Sequence, residues 1–524
     1  TELEYKDTHR LFAKTMFLRQ SIDEARISQG TTDAETTDVR RTRLRFFSNQ
    51  LLMNQFGGEH RFDRLKDFSI NWLYTDATAN RDEPKTRDYR YDFDERNSNY
   101  IFSQRVDSNL ISYSDLIDKD RSWRVDGKLP LQLMPSHKLT LSSGFITQTK
   151  SRDASSQRFS YFRFGPDASN SGIYSRPSVE SILQPQFIGA NGYQLRDVTR
   201  LSDQYTASQN LLAYYGKLDL LSYDRVNITG GLRWEDNDQR VNTFLNGQPT
   251  TARLNRVDML PSAVATVFLT DKQQLRAGFS QTLSRPDFRE LSSAPFFDMN
   301  TNQETVGNPQ LKQTAITNWD LRWEYYLSPT ENIFAGFFWK DLTNPIELVA
   351  QPGSGALNTY QNVDTATVYG FEWEILKKLD FVHPLLENFY VGGNYTWSQS
   401  NVKLTAQNLI AQTTNNRPLQ GHSEHIVNFQ LGYDNPKWKT QATLLYNISS
   451  ERIVAAGRQQ IPDKYEQPYH QLDFVVSQNL YKGLSAQLSA QNLVDDDVRV
   501  MQGDEISRQF RRGRFFNVSV RLAY

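Results

Sequence analysis

Apolar and polar residues alternate one by one through segment after segment of this chain, which dictates strand structure because residues at i, i+2 and i+4 of a strand share one face. Near the C-terminus Phe516, Val518, Val520, Leu522 and Tyr524 fall on one face, and Asn517, Ser519, Arg521 and Ala523 on the other. Trp319, Leu321, Trp323 and Tyr325 alternate with Asp320, Arg322, Glu324 and Tyr326. The period recurs from Leu484 to Gln491, Val427 to Tyr433, Phe371 to Ile375 and Phe68 to Tyr74, where Leu73 is an exception, and in several strands the polar face is uncharged. Charge opposite so apolar a face needs water on that side. A soluble sheet of this extent would need a second covering layer, and no helical segment supplies one. The pattern predicts an all-β chain: a large antiparallel transmembrane β-barrel with lipid outside and a wet lumen.

Composition agrees. Phe 31, Tyr 25 and Trp 9 occur in a 524-residue chain that is only 38% hydrophobic, as expected when aromatic girdles mark two interfaces. Runs of about 18 apolar residues are absent, which excludes helical membrane spans. A formal charge of −1, from 59 basic and 60 acidic residues, argues against a nucleic-acid partner. With no cysteine, disulfides, thiol nucleophiles and thiolate metal sites are excluded. The segment starting Thr1-Glu2-Leu3-Glu4 has no signal-peptide pattern, and the preferred reading is that the numbering starts inside a longer chain.

Connections alternate between short and long. Tight turns fall near Asp63-Arg64, Pro135-Ser136, Tyr223-Asp224, Thr270-Asp271-Lys272, Ser328-Pro329-Thr330, Asp434-Asn435-Pro436 and Tyr481-Lys482, with a longer one at His383-Pro384. Long connections are expected at roughly 23–40, 78–120, 150–206, 237–255, 284–314, 342–365, 399–423, 449–468 and 495–512. Short turns belong to the periplasmic side and long loops to the outside. The parse gives about 18 strands, the first from His9 to Arg19, and Arg158 to Phe164 extends a strand above the membrane.

Several motifs, in order, resemble the barrel of TonB-dependent receptors from about Phe46 onward. Tyr74-Thr75-Asp76-Ala77 with Arg81-Asp82-Glu83-Pro84 comes first, then "SRPDFREL" from Ser284 to Leu291 and Gly307-Asn308-Pro309-Gln310-Leu311, the most specific pair. Asn344-Pro345-Ile346, Tyr369-Gly370-Phe371-Glu372, Asn394-Tyr395-Thr396 and Gln491-Asn492-Leu493-Val494-Asp495 follow. The resemblance implies a 22-stranded barrel, a TonB-type energy-coupling partner in the bacterial outer membrane, and an internal plug domain. Residues 1–524 read as barrel alone, with the plug and about four strands expected upstream of Thr1; the alternatives are the ordered part of a longer chain and a barrel completed by another polypeptide.

Each motif also has a structural reading. Arg285-Pro286 ends a strand, Gly307-Asn308-Pro309 is a turn, Gly370 allows close strand approach, and Asn492 places a polar group where a strand enters its loop. Structure outweighs ligand contact for all of them. His422 and His425 would face opposite ways on a strand, so no metal site is expected there. Asp495, Asp496 and Asp497 read as a solvated tip rather than a cation site. Gly353-Ser354-Gly355 spells no phosphate loop or nucleophile elbow. The Asn227 and Asn447 sequons belong to strand alternation. Phe296, Phe297, Tyr360, Trp397 and Tyr465, near loop bases, are assigned to the interfacial girdle before ligand contact. No catalytic residue, cofactor or metal ligand is expected, and the ligand-binding residues are unknown. The function this implies is coupled uptake of a scarce ligand. A partner subunit of an outer-membrane complex, with a lipoprotein or second barrel, and a passive porin are the alternatives. Lipid and lipopolysaccharide are the expected surroundings.

Overall fold

The computed structural model describes all residues except 1, 6–7, 33–34, 106–107, 299–302, 351–356, 405–413, 415, 458–460, 482 and 523–524. One antiparallel sheet of 22 strand segments dominates it. Four segments are short additions, Glu2–Tyr5, Asn99–Phe102, Tyr193–Asp197 and Asn416–Arg417, so eighteen strands carry the wall, as the alternation predicts. The first nine are β1 (His9–Thr32), β2 (Glu35–Phe62), β3 (Phe68–Asp94), β4 (Leu110–Met134), β5 (His137–Arg163), β6 (Gln204–Ser222), β7 (Val226–Leu245), β8 (Gln248–Thr270) and β9 (Gln273–Ser284). The rest are β10 (Thr314–Ser328), β11 (Glu331–Thr343), β12 (Thr365–Lys378), β13 (Phe389–Lys403), β14 (His425–Asn435), β15 (Thr440–Ser449), β16 (Tyr469–Tyr481), β17 (Leu484–Gln491) and β18 (Phe515–Leu522). Each pairs with the next in sequence, the up-and-down meander of a barrel wall. Among the described residues β18 pairs only with β17.

Register turns the sequence alternation into two surfaces. Phe279, Trp319, Trp339 and Tyr369 are successive cross-strand neighbours on the outer face. Phe279 and Trp319 have ring centroids 4.6 Å apart, and Trp339 stacks on Tyr369 at 5.2 Å. One step toward the periplasm lie Leu321, Phe337, Phe371 and Trp397. Large apolar side chains exposed in this way suit contact with hydrocarbon and interface, where an aqueous surface would penalise them. The opposite face holds Asp320, Arg322 and Glu324, with Arg322 Nε 3.1 Å from Glu324. Among the described residues no helix is long and apolar enough to cross a membrane.

The first five strands are far longer than a bilayer requires: 24, 28, 27, 25 and 27 residues, where about 10 tilted residues cross the hydrocarbon. On β4 the outward residues Trp123, Val125, Leu129, Leu131 and Leu133 give way above to Arg121 and Lys119. Arg121 Nε meets outward-facing Asp76 of β3 at 2.7 Å. The ladder therefore continues past the level where the outer face turns charged. This corrects the expected loops at 23–40 and 237–255, where strands run on through them to hairpin tips, and it shortens those at 78–120 and 150–206. Above the lipid neither face must be apolar, so the hydrophobic period disappears while backbone pairing persists.

The remainder of the 150–206 connection is folded. Ala168, Ile173 and Ile182 pack with Tyr193 against Tyr89, Tyr91 and Phe102 at the tall flank, and Arg40 lies over the rings of Tyr91 and Tyr100 at 4.7 and 5.0 Å.

Candidate functional site

The chain leaving β9 turns into the barrel mouth. Arg285 Nη2 reaches Glu235 of β7 at 2.7 Å, and Arg233 Nε holds the same carboxylate at 2.6 Å. Gln239 donates to the Pro286 carbonyl at 2.8 Å. A helical turn, α1 (Phe288–Leu291), then starts on a reciprocal cap: Asp287 accepts from the Arg289 N–H at 2.9 Å while Glu290 accepts from the Asp287 N–H at 2.9 Å. Phe288, Leu291 and Leu311 are buried against Tyr205, Ala207, Val241 and Ala252. Register places those four on the face shared with Glu235, which is the inner one. Burying each large apolar side chain contributes about 1.5–3 kcal/mol, so the inward fold is anchored rather than draped. Burial pushes the Glu290 carboxyl above its ordinary range, against the pull of the Asp287 N–H.

The second half of the motif completes this turn. A Cβ on Gly307 would lie 2.2 Å from Ser292 O, 2.5 Å from Arg289 O and 2.6 Å from Glu290 O, so only glycine lets the chain pass. Asn308 then donates its N–H to Glu290 O at 2.6 Å and its Nδ2 to Tyr360 O at 3.0 Å.

The long loops pair with one another. Phe296–Asp298, Gln303–Val306, Leu357–Asn362 and Ile346–Ala350 form a four-stranded sheet, its central pair parallel, that joins the loop after β9 to the loop after β11. Arg452–Ala455, Lys464–Glu466, Asp497–Gln502 and Glu505–Arg511 form another, joining the last two long loops. A bridge between Val349 and Ala456 connects the two systems. Arg417 and Glu347 form an ion pair at 3.0 and 2.6 Å, each with 1% of its side chain exposed, and Gln420 N–H donates to the same carboxylate at 3.2 Å.

Much of the charge lining the upper inner wall is held in ion pairs. Arg45 and Arg81 both contact Glu83 at 2.7 Å, Arg43 pairs with Asp88, Arg152 bridges Asp118 and Asp287, and Arg158 pairs with Asp203. These groups brace neighbouring strands and loops to each other.

Other sequence candidates take structural places. Gly370 lies where a Cβ would be 2.3 Å from Trp397 O. Asn492, with φ 55°, donates Nδ2 to Gly513 O at 2.7 Å and accepts from Tyr469 Oη at 2.8 Å. The acidic tip is bonded rather than merely solvated: Asp495 accepts from Gly513 N–H at 3.0 Å, Asp496 from His470 N–H at 3.2 Å, and Asp497 from Arg511 at 2.8 Å. His422 lies between Ser398 and Ser400 at 2.8 and 2.9 Å, whereas His425 meets Tyr395 Oη. Among the described residues no group of three or more His, Cys, Asp or Glu could hold a metal ion. Gly353-Ser354-Gly355 lies outside the described residues. Trp397 belongs to the outer aromatic rows, stacked on Phe371 at 6.0 Å. Phe296, under Arg289 at 4.3 Å, Tyr360 and Tyr465 sit in the loop sheets instead, so the girdle assignment fails for them; the side chain of Phe297 is outside the described residues. Sequence reasoning missed Glu347 and Arg417, which carry no local signal. It also missed the cap of α1, which the Asp287-x-x-Glu290 spacing does signal.

An antiparallel wall with an apolar outer face, a polar lumen and loops folded over its mouth defines an outer-membrane barrel. Residues 10–493 match the family model described as TonB dependent receptor-like, beta-barrel, so the chain belongs to that family. Among solved structures it is similar to the siderophore receptor PiuA from Acinetobacter baumannii, with 12% identity, TM-score 0.57, and 100% of this chain and 78% of that one covered. It is also similar to the ferric-catecholate import receptor Fiu from E. coli K12 (13%, 0.54, 99% and 78%) and to the copper transporter OprC (14%, 0.54, 98% and 76%). At such identities the likeness concerns the fold. No match was found among curated proteins. The chain is thus an outer-membrane receptor barrel whose family works by TonB-coupled uptake of a ligand.

Proposed function

We propose that this receptor takes up a metal chelate of the siderophore kind, captured at the mouth and admitted when the coupling protein acts. The observation that carries the reading is the inward-folded segment from Arg285 to Leu311, which has a core of its own and is strand-paired to the next loop. A passive pore needs an unobstructed mouth; a wide polar barrel with an anchored constriction above it fits controlled entry. Several structural neighbours are siderophore receptors, which supports the ligand class. Residues 1–524 serve as the barrel, with the plug contributed from outside them, and the outer face contacts lipid and lipopolysaccharide. No step of this function calls for chemistry on the ligand.

The test is uptake of a panel of radiolabelled ferric chelates by iron-limited cells with and without the gene. Accumulation of one chelate that requires both the gene and the coupling protein supports the reading. Equal accumulation in energised and de-energised cells would mean a porin. One observation favours a second reading: among the described residues β18 has a single partner strand, β17. A strand from another polypeptide would cover that edge, and purification from outer membranes with a stable companion barrel or lipoprotein would identify it.

A further inference from the structure

The lumen has two chemically different sides. On the inner face of β4 to β7 charged residues interrupt the wall: Arg124 with Asp126, Lys128, Lys217, and Arg233 with Glu235, the two ion pairs at 2.6 Å. On β13 to β17 the inner face carries no basic side chain among the described residues; Asp434 and Asp473 are the charges there, and amides and hydroxyls make up most of the rest. Asn394, Asn428, Asn447 and Gln471 are successive neighbours across four strands. Asn447 Nδ2 donates to Asn428 at 2.5 Å, and Asn428 Nδ2 donates to Asn394 at 2.7 Å. The row spans about 14 Å at the usual strand spacing. It floors a cleft of about 380 Å³ that also takes in Gln430, Asp473, Glu374 and Gly392.

We propose that the solute path through this barrel runs along the amide-rich wall of β13 to β17, which lacks basic side chains, with the amide row as its way-station. The proposal rests on the coupled-uptake reading. Each amide carries two N–H groups and a carbonyl with two lone pairs, so Asn428, which gives one bond and receives one within the row, keeps a donor and a lone pair for a passing solute. Such neutral bonds exchange readily, whereas charge-assisted ones are roughly twice as strong and would hold a chelate in place. A conducting path needs several weak sites rather than one strong one. The wall of β4 to β7 has the opposite character.

Residues 1–524 contain no cysteine, so each substitution adds the one thiol of this segment, and the unsubstituted receptor serves as the labelling blank. In the full receptor in cells, Thr443→Cys and Ser477→Cys probe the amide-rich wall, Ser142→Cys the charged one, and Ser262→Cys the strand β8 that adjoins it; all four positions face inward by register. Each is labelled from outside with a membrane-impermeant maleimide, in energised and protonophore-treated cells. Comparing each site with itself removes the effect of neighbouring lysines on thiolate content. The expected result is a several-fold rise on energisation at residues 443 and 477 and none at 142 and 262. A rise confined to the charged wall, or equal on both, overturns the path while leaving coupled uptake standing. No rise anywhere overturns both. As a second readout, Asn428→Asp combined with Asn447→Asp should slow uptake of a bound ferric chelate without weakening its binding to the cell surface. Unchanged uptake would overturn the way-station.

Discussion

Arg417 and Glu347, seventy residues apart in sequence, meet in a two-point ion pair with both side chains almost wholly withdrawn from water. Arg417 lies in the short strand Asn416–Arg417 within the loop that follows β13, while Glu347 lies in the hairpin that follows β11, so the pair fixes one extracellular loop to another. Removing one partner strands the other charge, at a cost of about 3–5 kcal/mol. Glu347→Gln and Arg417→Met should each raise hydrogen exchange through residues 346–350 and 416–421. The double variant should be closer to wild type than the sum of the singles. Additive effects in that cycle would mean the two groups do not act as a unit.

Glu290 holds the cap of α1 at the expense of burying a carboxylate. Its folded pKa lies above the unfolded value, so the native turn binds more protons than the unfolded one and loses stability as pH rises from about 4.5 through the folded pKa. Glu290→Gln keeps the acceptor for the Asp287 N–H without the charge. It should protect the turn as well as or better than wild type at neutral pH, whereas Glu290→Ala should weaken it by about 0.5–2 kcal/mol. Amide exchange at Leu291 and Ser292, measured at pH 5 and pH 7.5, separates these cases; identical behaviour of the two variants would refute the account.

Gly307→Ala pushes a methyl into three backbone carbonyls of the α1 turn. Overpacking against backbone costs about 1–3 kcal/mol, so residues 285–313 should become sensitive to external protease in intact cells. Gly278→Ala is the control, since its new methyl would lie 3.7 Å from Asp320 Cβ, an ordinary contact. Equal resistance of both variants would show that the turn tolerates the methyl.

His422 is pushed below its ordinary pKa by burial, with Glu424 pulling the other way. The unfolded loop therefore binds a proton that the folded loop does not. Stability is full above an unfolded pKa of about 6.5 and declines as pH falls below it. Opening of residues 416–424, followed by hydrogen exchange corrected for its intrinsic pH dependence, should become more frequent between pH 6.5 and pH 5. His422→Gln should abolish that trend, and a trend that persists in the variant would assign it to another group.

The alternation around Trp319 and Phe371 made the membrane strands legible, because a single face pressed against lipid enforces the period at every second position. Where Asp76 and Arg121 stand on the outer face that pressure has ended, and β1 to β5 look like loops although their ladders continue. The spelling from Ser284 to Leu311 marks a turn, but not that the turn points inward, since Tyr205, Val241 and Ala252 arrive from strands far back in the chain. The joining of loops through Glu347 and Arg417 lies further out of reach, each being one ordinary charge among many until the fold removes water from both.

β2 has 28 residues and β15 has 10; allowing for tilt, the flank built from β1 to β5 rises roughly 40 Å higher than the opposite wall. The rim is consequently a slope. A rim of this shape would present its crest first to a large object such as an antibody or a phage tail and leave the low side, roofed by the loop sheets, to smaller solutes.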